Sequence, residues 1–191
     1  MRKGPRKRPG VAGQSPYGAQ RFGLGGRKGW GLLLAGVTLV GVLEAFVLSR
    51  LGRAVLPDPV AAALDAVVAV GTLALLAALA SPLWSSHQLD DERVRLRLGW
   101  LAEAAVPLAC VRSVAPYTPP VLQPAQLGTD FDPDTGCLSL VRSASSALVR
   151  FELKGDVAAR HQGLRHVRAR VVLVSVDDAA ELVGAVHAAR A

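Results

Sequence analysis

Two acidic residues, Glu44 and Asp65, stand inside otherwise apolar stretches of this 191-residue chain. A carboxylate in such a setting is the raw material of a proton relay or cation site. Its charged form is costly there unless water, a proton or a cation compensates. The competing reading is structural, a pair near the end of an apolar segment in which Arg50 or Arg53 supplies the counter-charge. Arginines form the second chemical group. Arg93, Arg95 and Arg97 alternate with Val94, Leu96 and Leu98, and Arg168 and Arg170 repeat the two-residue spacing. Residues two apart share one face of a strand, so these five predict a cationic face able to take anionic headgroups or an acidic protein segment. The plainer alternative is a solvated face neutralised by cross-strand acids such as Glu103 or Glu152.

No other constellation rises to a chemical motif. Asp130, Asp132 and Asp134 resemble the start of an oxygen-rich calcium loop, but Thr135 stands where the loop needs Gly and Val141 where it needs a bidentate Glu. A turn through Pro133–Gly136 accounts for them. Cys110 and Cys137 are too few and too far apart to define a zinc site, and His87, His161, His166 and His187 lack ligand spacing. Phosphate-binding glycine loops, a nucleophile elbow and a recognisable Cys/His couple are missing from the sequence. The expectation is therefore a chain with no catalytic residues, no cofactor and no metal.

The elements that carry Glu44 and Asp65 are two apolar runs, Trp30–Leu51 and Val60–Trp84. Each exceeds the roughly 20 residues needed to cross a hydrocarbon core about 30 Å thick. They predict transmembrane helices over 30–51 and 60–84, joined by a short external loop over 52–59 in which Pro57 and Pro59 flank Asp58. In an antiparallel hairpin, Glu44 and Asp65 then fall at similar depth in the outer half of the bilayer. Trp30 and Trp84 mark the two inner ends, where amphipathic aromatics favour the headgroup region. Small residues such as Gly31, Ala35 and Ala62 offer close approach between helices.

Charge orients the hairpin. The formal net charge of +7 is concentrated before the first run, where residues 1–29 hold eight Lys and Arg and no acid. The connector carries only Arg53 and Asp58, with Arg50 at its edge, and residues 85–191 balance twelve basic residues against twelve acidic ones. This asymmetry predicts a cytoplasmic N-terminus, and two crossings return the C-terminal part to the cytoplasm. A nucleic-acid protein would carry its basic excess on the folded module, so no nucleic-acid partner is expected. The Gly- and Pro-rich stretch 1–29 reads as a disordered tail whose cations meet an anionic inner leaflet. A cleaved signal peptide is disfavoured by the long basic region, the long apolar run and the poor cleavage pattern after it.

Residues 85–191 read as a small, mainly β domain. Arg93–Leu98 alternates as a half-buried strand, Gly99 turns into a second strand ending near Val106–Pro107, and Cys110–Tyr117 gives a turn and a third. A loop over Thr118–Gly136 precedes strands at Cys137–Arg142, Ala147–Lys154 and His166–Val176, with a short one at Asp156–Ala158. Ala179–Arg190 has helical spacing through Leu182, Val183 and Val186, with Asp178 as N-cap. A closed antiparallel sheet with one terminal helix is the most economical architecture.

The passage HQLDDERVRLRLGWLAEAAVPLACVRSV, from His87 to Val114, resembles the opening of bacterial pleckstrin-homology-like domains. A charged turn leads into an alternating strand, Gly begins a hairpin, and an apolar–Pro–Leu segment leads onward. Arg165–Ala189, with VVLVSVDD at the junction, is similar to their closing strand and helix, although Ala179 stands where Pro often begins that helix. The order of elements from Trp30 onward, with an acid late in the first span, resembles actinobacterial two-span membrane proteins that carry this domain. The resemblance implies a membrane α-helical hairpin followed by a small PH-like barrel with a C-terminal helix. It brings no catalytic residues.

These readings converge on a multi-pass cell-membrane protein acting as a non-enzymatic interaction or scaffolding module. Its expected partners are an anionic inner leaflet and either another membrane protein or a second copy of the chain. The alternative is a small ion or proton transporter subunit using Glu44 and Asp65.

Overall fold

The structure, a computed structural model, describes residues 19–120, 127–143 and 145–190. The described residues form two long helices and a nine-stranded mixed sheet with one terminal helix.

The helices are α1, Lys28–Val55, and α2, Asp58–Ala80, which runs on into a single 3-10 turn over Ser81–Leu83. At 1.5 Å per residue their lengths are about 42 and 35 Å, and both are apolar enough to cross a bilayer. The connector is shorter than the eight residues expected. Nothing in Gly52–Val55 breaks a helix, so α1 continues until Leu56 and Pro57 turn the chain, and α2 begins at Asp58. Pro59 sits in the first turn of α2, where a missing N–H costs nothing. The two legs bury little: only Trp30 and Ala61 are fully covered, while Leu32 is 77% and Leu39 72% exposed.

The sheet runs in the order β1-β2-β3-β4-β8-β9-β7-β6, with β5 on β8. Its strands are β1 Gln20–Phe22, β2 His87–Leu89, β3 Arg93–Leu98, β4 Ala102–Pro107, β5 Val111–Tyr117, β6 Gly128–Asp132, β7 Cys137–Val141, β8 Ala147–His161 and β9 Arg165–Val176. The long β8–β9 hairpin holds two half-sheets together. A register shift between Glu152 and Val157 bends β8, and β5 pairs before the bend while β4 pairs after it. The inner face carries Val94, Leu96 and Leu98 of β3, Leu138 and Leu140 of β7, and Phe151 of β8, all fully buried. Helix α3, Ala179–Arg190, closes the core with Leu182 and Val186. Asp178 Oδ1 accepts from Ala180 N at 2.8 Å and Glu181 N at 3.0 Å, which caps the free N–H groups of the first turn.

Four expectations are corrected. The sheet is neither closed nor wholly antiparallel, because β7 lies parallel to β9 and the path ends on the edge strands β1 and β6. The stretch Thr118–Gly136 is not all loop: its last part is β6, paired with β7 from Gly128–Val141 to Asp132–Cys137. Ala147–Lys154 and Asp156–Ala158 are one strand, since the bend at Glu152–Val157 leaves its pairing to β9 intact on both sides. Finally, residues 20–22 are not a disordered tail. They form β1, which pairs with β2 through Gln20–Leu89, Arg21–Gln88 and Phe22–His87. Burial of Phe22 and Leu24 in the sheet core supplies the apolar area that offsets the ordering entropy of this Gly-rich segment. The tail cations Arg2, Lys3, Arg6, Lys7 and Arg8 lie outside the described residues.

Candidate functional site

The segment before α1 and the segment after α2 meet in one buried polar junction. Gly23–Gly26 crosses the ends of β7 and β9. Ser175 Oγ of β9 donates to Leu24 O at 2.7 Å and accepts from Arg142 N at 2.9 Å, while Gly26 N donates to Ser146 Oγ at 2.8 Å. Gly25 has φ +96°, and a Cβ there would collide with Ser146, so only glycine fits this crossing.

Arg142 links the two legs. Its side chain is 2% exposed, donating Nη1 to Pro82 O at 3.1 Å and Nη2 to Gly25 O. Pro82 follows α2 and Gly25 precedes α1, so one guanidinium closes the base of the hairpin. Burial, and then the neighbouring charge of Arg27, lower its pKa from the ordinary arginine value. Arginine's planar fork suits this role, because one side chain reaches two carbonyls.

His87 completes the junction from β2. It is fully buried, with Nε2 3.1 Å from Ser175 O and Nδ1 accepting from Arg97 N at 3.2 Å. That pattern requires the neutral tautomer protonated on Nε2, because an imidazolium has no acceptor for Arg97 N–H. Desolvation lowers its pKa to about 4.

Above the junction the legs are tied again. Trp30 Nε1 donates to Leu79 O at 2.8 Å, satisfying a carbonyl in the last turn of α2. Trp30 is thus buried between the legs, whereas Trp84 is 77% exposed. Ser81 Oγ donates to Ala78 O at 2.6 Å and accepts from Trp100 N at 2.7 Å. Gly99 makes that approach feasible, with φ +57° and the Ser81–Pro82 backbone where a Cβ would stand.

The arginines expected to share a face do so. Arg93, Arg95 and Arg97 point away from the core on β3, and Arg168 and Arg170 do the same on β9. They are separated by β4 and β8, about 14 Å at the usual strand spacing. Several are neutralised. Arg93 lies 3.7 Å from Asp90 and 3.9 Å from Glu92; Arg97 lies 3.5 Å from Glu103; Arg170 Nε donates to Asp156 Oδ1 at 2.7 Å. That bond to Asp156 raises the Arg170 pKa. Arg95 and Arg168 have no ion-pair partner among the described residues. Glu103 also holds Arg160 at 3.3 Å, so one carboxylate serves two guanidiniums, whereas Glu152 pairs with Arg150.

Glu44 and Asp65 are not brought together. Asp65 Oδ2 accepts from Arg53 Nη2 and Ser49 Oγ, each at 3.1 Å. Glu44 is five residues from Ser49 along α1, about 7.5 Å farther from the connector, and forms no ion pair among the described residues. The sequence places the two acids at similar depth; in the structure α1 extends past Leu51, and Asp65 meets Ser49, more than one turn nearer the connector than Glu44. Asp130 and Asp132 lie on β6, where Asp132 accepts from Asp134 N at 2.9 Å and Thr135 Oγ1 at 2.6 Å. The Thr135 bond, then that from Asp134, lowers the Asp132 pKa. No cluster of three or more His, Cys, Asp or Glu that could hold a metal occurs among the described residues.

The fold and site together define a helical hairpin rooted at both ends in one mixed-sheet domain. Comparison of the chain with protein-family models, curated proteins and solved structures finds no match. Sequence reasoning missed Arg142, His87 and Ser175, which are joined to one another and to the legs by bonds spanning 33 to 151 residues, Arg97 N being the one nearer partner of His87; a lone Arg after an apolar strand reads as a surface cation.

Proposed function

We propose that the protein is a membrane-anchored, non-enzymatic interaction module. The hairpin crosses the cell membrane twice, and the sheet domain is held against the cytoplasmic leaflet with both termini inside. The observation that carries this reading is the junction. A strand before α1 pairs with a strand after α2, and Arg142 bonds to the chain at both sites, so both ends of the hairpin leave on one side. The apolar surface of α1 and α2 needs a nonaqueous partner, and the eight cations of residues 1–29 orient it by the positive-inside bias. Anchoring raises the effective concentration of the domain near membrane partners. The cations Arg95 and Arg168, without counter-charges among the described residues, are the places on the arginine face for an acidic segment of another membrane protein or a second copy.

The domain is further proposed as a divergent PH-like one. The β3–β4 hairpin turned by Gly99 and the closing β9–α3 unit support this; the parallel β7–β9 pair and open sheet are departures. A transporter reading is less favoured, since Asp65 is engaged by Arg53 and Ser49 and Glu44 lies apart from it.

Alkaline carbonate should leave the full chain in the membrane pellet, and photocrosslinkers replacing Arg95 or Arg168 should give discrete adducts in native membranes. Reconstituted protein should carry no proton flux that Glu44→Gln changes. Release by carbonate contradicts the anchor, absence of adducts contradicts the interaction face, and flux abolished by Glu44→Gln establishes the transporter instead.

A further inference from the structure

A cleft of about 510 Å³ opens between the end of α2 and the outward face of the β1–β3 half-sheet. Ala77, Ala80 and Ser81 form the helix side; Arg21, Gln88 and Arg97 form the sheet side; Trp84 and Trp100 stand beside it. The register explains the wall. Arg21 pairs with Gln88, Gln88 pairs with Arg95, and Arg97 stands two residues along the same face of β3.

The charge on this wall is unbalanced. No acid lines the cleft, and Arg21 has no ion-pair partner among the described residues. Arg97 shares Glu103 with Arg160, and its buried Nε, 3.5 Å from that carboxylate, makes no hydrogen bond. The cleft therefore offers guanidinium donors to an anion with several acceptor oxygens, which a phosphate ester supplies. The opposite wall is apolar: Ala77 and Ala80 leave room along the last turns of an apolar helix. Trp84 and Trp100, 77% and 59% exposed, have the amphipathic character of side chains placed at headgroup level. The volume suits a headgroup and its glycerol rather than a whole lipid.

We propose that this cleft binds the phosphate headgroup of an anionic phospholipid, with Arg21 and Arg97 on the phosphate and the acyl chains leaving along Ala77 and Ala80. The inference rests on the membrane-anchored reading and gives that anchor a lipid specificity. It is distinct from the exposed arginines Arg93, Arg168 and Arg170, which lie outside the cleft.

The test uses the full chain, purified in neutral detergent and mixed with phosphatidylglycerol or phosphatidylcholine, with retained lipid counted by native mass spectrometry. Wild-type protein should retain phosphatidylglycerol preferentially. Arg21→Gln with Arg97→Gln should weaken that retention roughly tenfold or more, the loss expected for charge-assisted bonds. Ala77→Phe, which fills the apolar wall and keeps every arginine, should do the same, so the outcome does not depend on the double variant folding. Arg112→Gln with Lys154→Gln, exposed cations of β5 and β8 outside the cleft, should retain the lipid as wild type does. Wild-type retention by both cleft variants overturns the proposal, as does equal retention of the two lipids by the wild type. Displacement of phosphatidylglycerol by submillimolar glycerol phosphate would assign the cleft to a soluble ester and overturn the lipid assignment. Carbonate release of the wild-type chain is the separate result that removes the anchor itself.

Discussion

Replacing Arg142 by alanine is expected to unfasten the hairpin from the sheet domain and to produce the largest stability loss of any single substitution in the junction. The change strips donors from Gly25 O and Pro82 O and leaves a cavity where the guanidinium lay. An orphaned buried carbonyl costs about 1–3 kcal/mol, so the two with the lost packing come to roughly 3–5 kcal/mol. That is a large part of the 5–15 kcal/mol by which ordinary domains are stable. Arg142→Met restores much of the volume but no donor, and should be nearly as damaging. Arg142→Lys keeps the charge but cannot fork between two carbonyls, and should fall between. In detergent, tryptic cleavage after Arg27 and Lys28 should accelerate in the order Lys, Met, Ala. Resistance of Arg142→Ala equal to wild type would remove this residue from the anchoring role.

Acid should loosen the same junction through His87. Its folded pKa of about 4 lies below the ordinary value of 6.5, so the unfolded chain binds the proton more readily. Stability from the neutral ring is therefore fully present above pH 6.5. It falls as pH drops from 6.5 to about 4, and the loss levels off below that. The full depression corresponds to about 3 kcal/mol. Structurally, a proton on Nδ1 removes the acceptor for Arg97 N–H. His87→Gln offers one donor and one acceptor without titrating. Melting temperatures in neutral detergent should fall more steeply for wild type than for His87→Gln across this window. Parallel curves for the two proteins would show that His87 does not set the acid sensitivity.

Legibility in the sequence followed the range of the interactions. Strand β3 was plain because Val94, Leu96 and Leu98 alternate with arginines, and α3 because Asp178 caps a helically spaced Leu182 and Val186. The two apolar helices declared themselves by length. What stayed hidden depends on partners far along the chain. Three residues of β1 carry no strand signal of their own and gain their conformation from β2, more than 60 residues later. Strand β6 lies at the end of a Pro-, Gly- and Asp-bearing stretch and is defined by β7. The parallel β7–β9 pair leaves no mark that distinguishes it from an antiparallel one. For the candidate sites, alternation showed that five arginines share a face, but not that Arg170 meets Asp156. Asp65 found the expected partner in Arg53; Glu44 did not join it because helix extension, invisible to a hydropathy boundary, set the register.

The claim that both ends of the hairpin and the sheet domain share the cytoplasmic side is tested most directly by single-cysteine labelling. With Cys110 and Cys137 replaced by Ser, cysteines are placed singly at Asp58 at the start of α2, Gln14 in the basic tail and Gly163 in the β8–β9 turn, then exposed to a membrane-impermeant maleimide in intact cells. Labelling is expected at position 58 alone, with positions 14 and 163 reacting only after permeabilisation. Labelling at position 163 in intact cells would place the sheet domain outside and contradict the account.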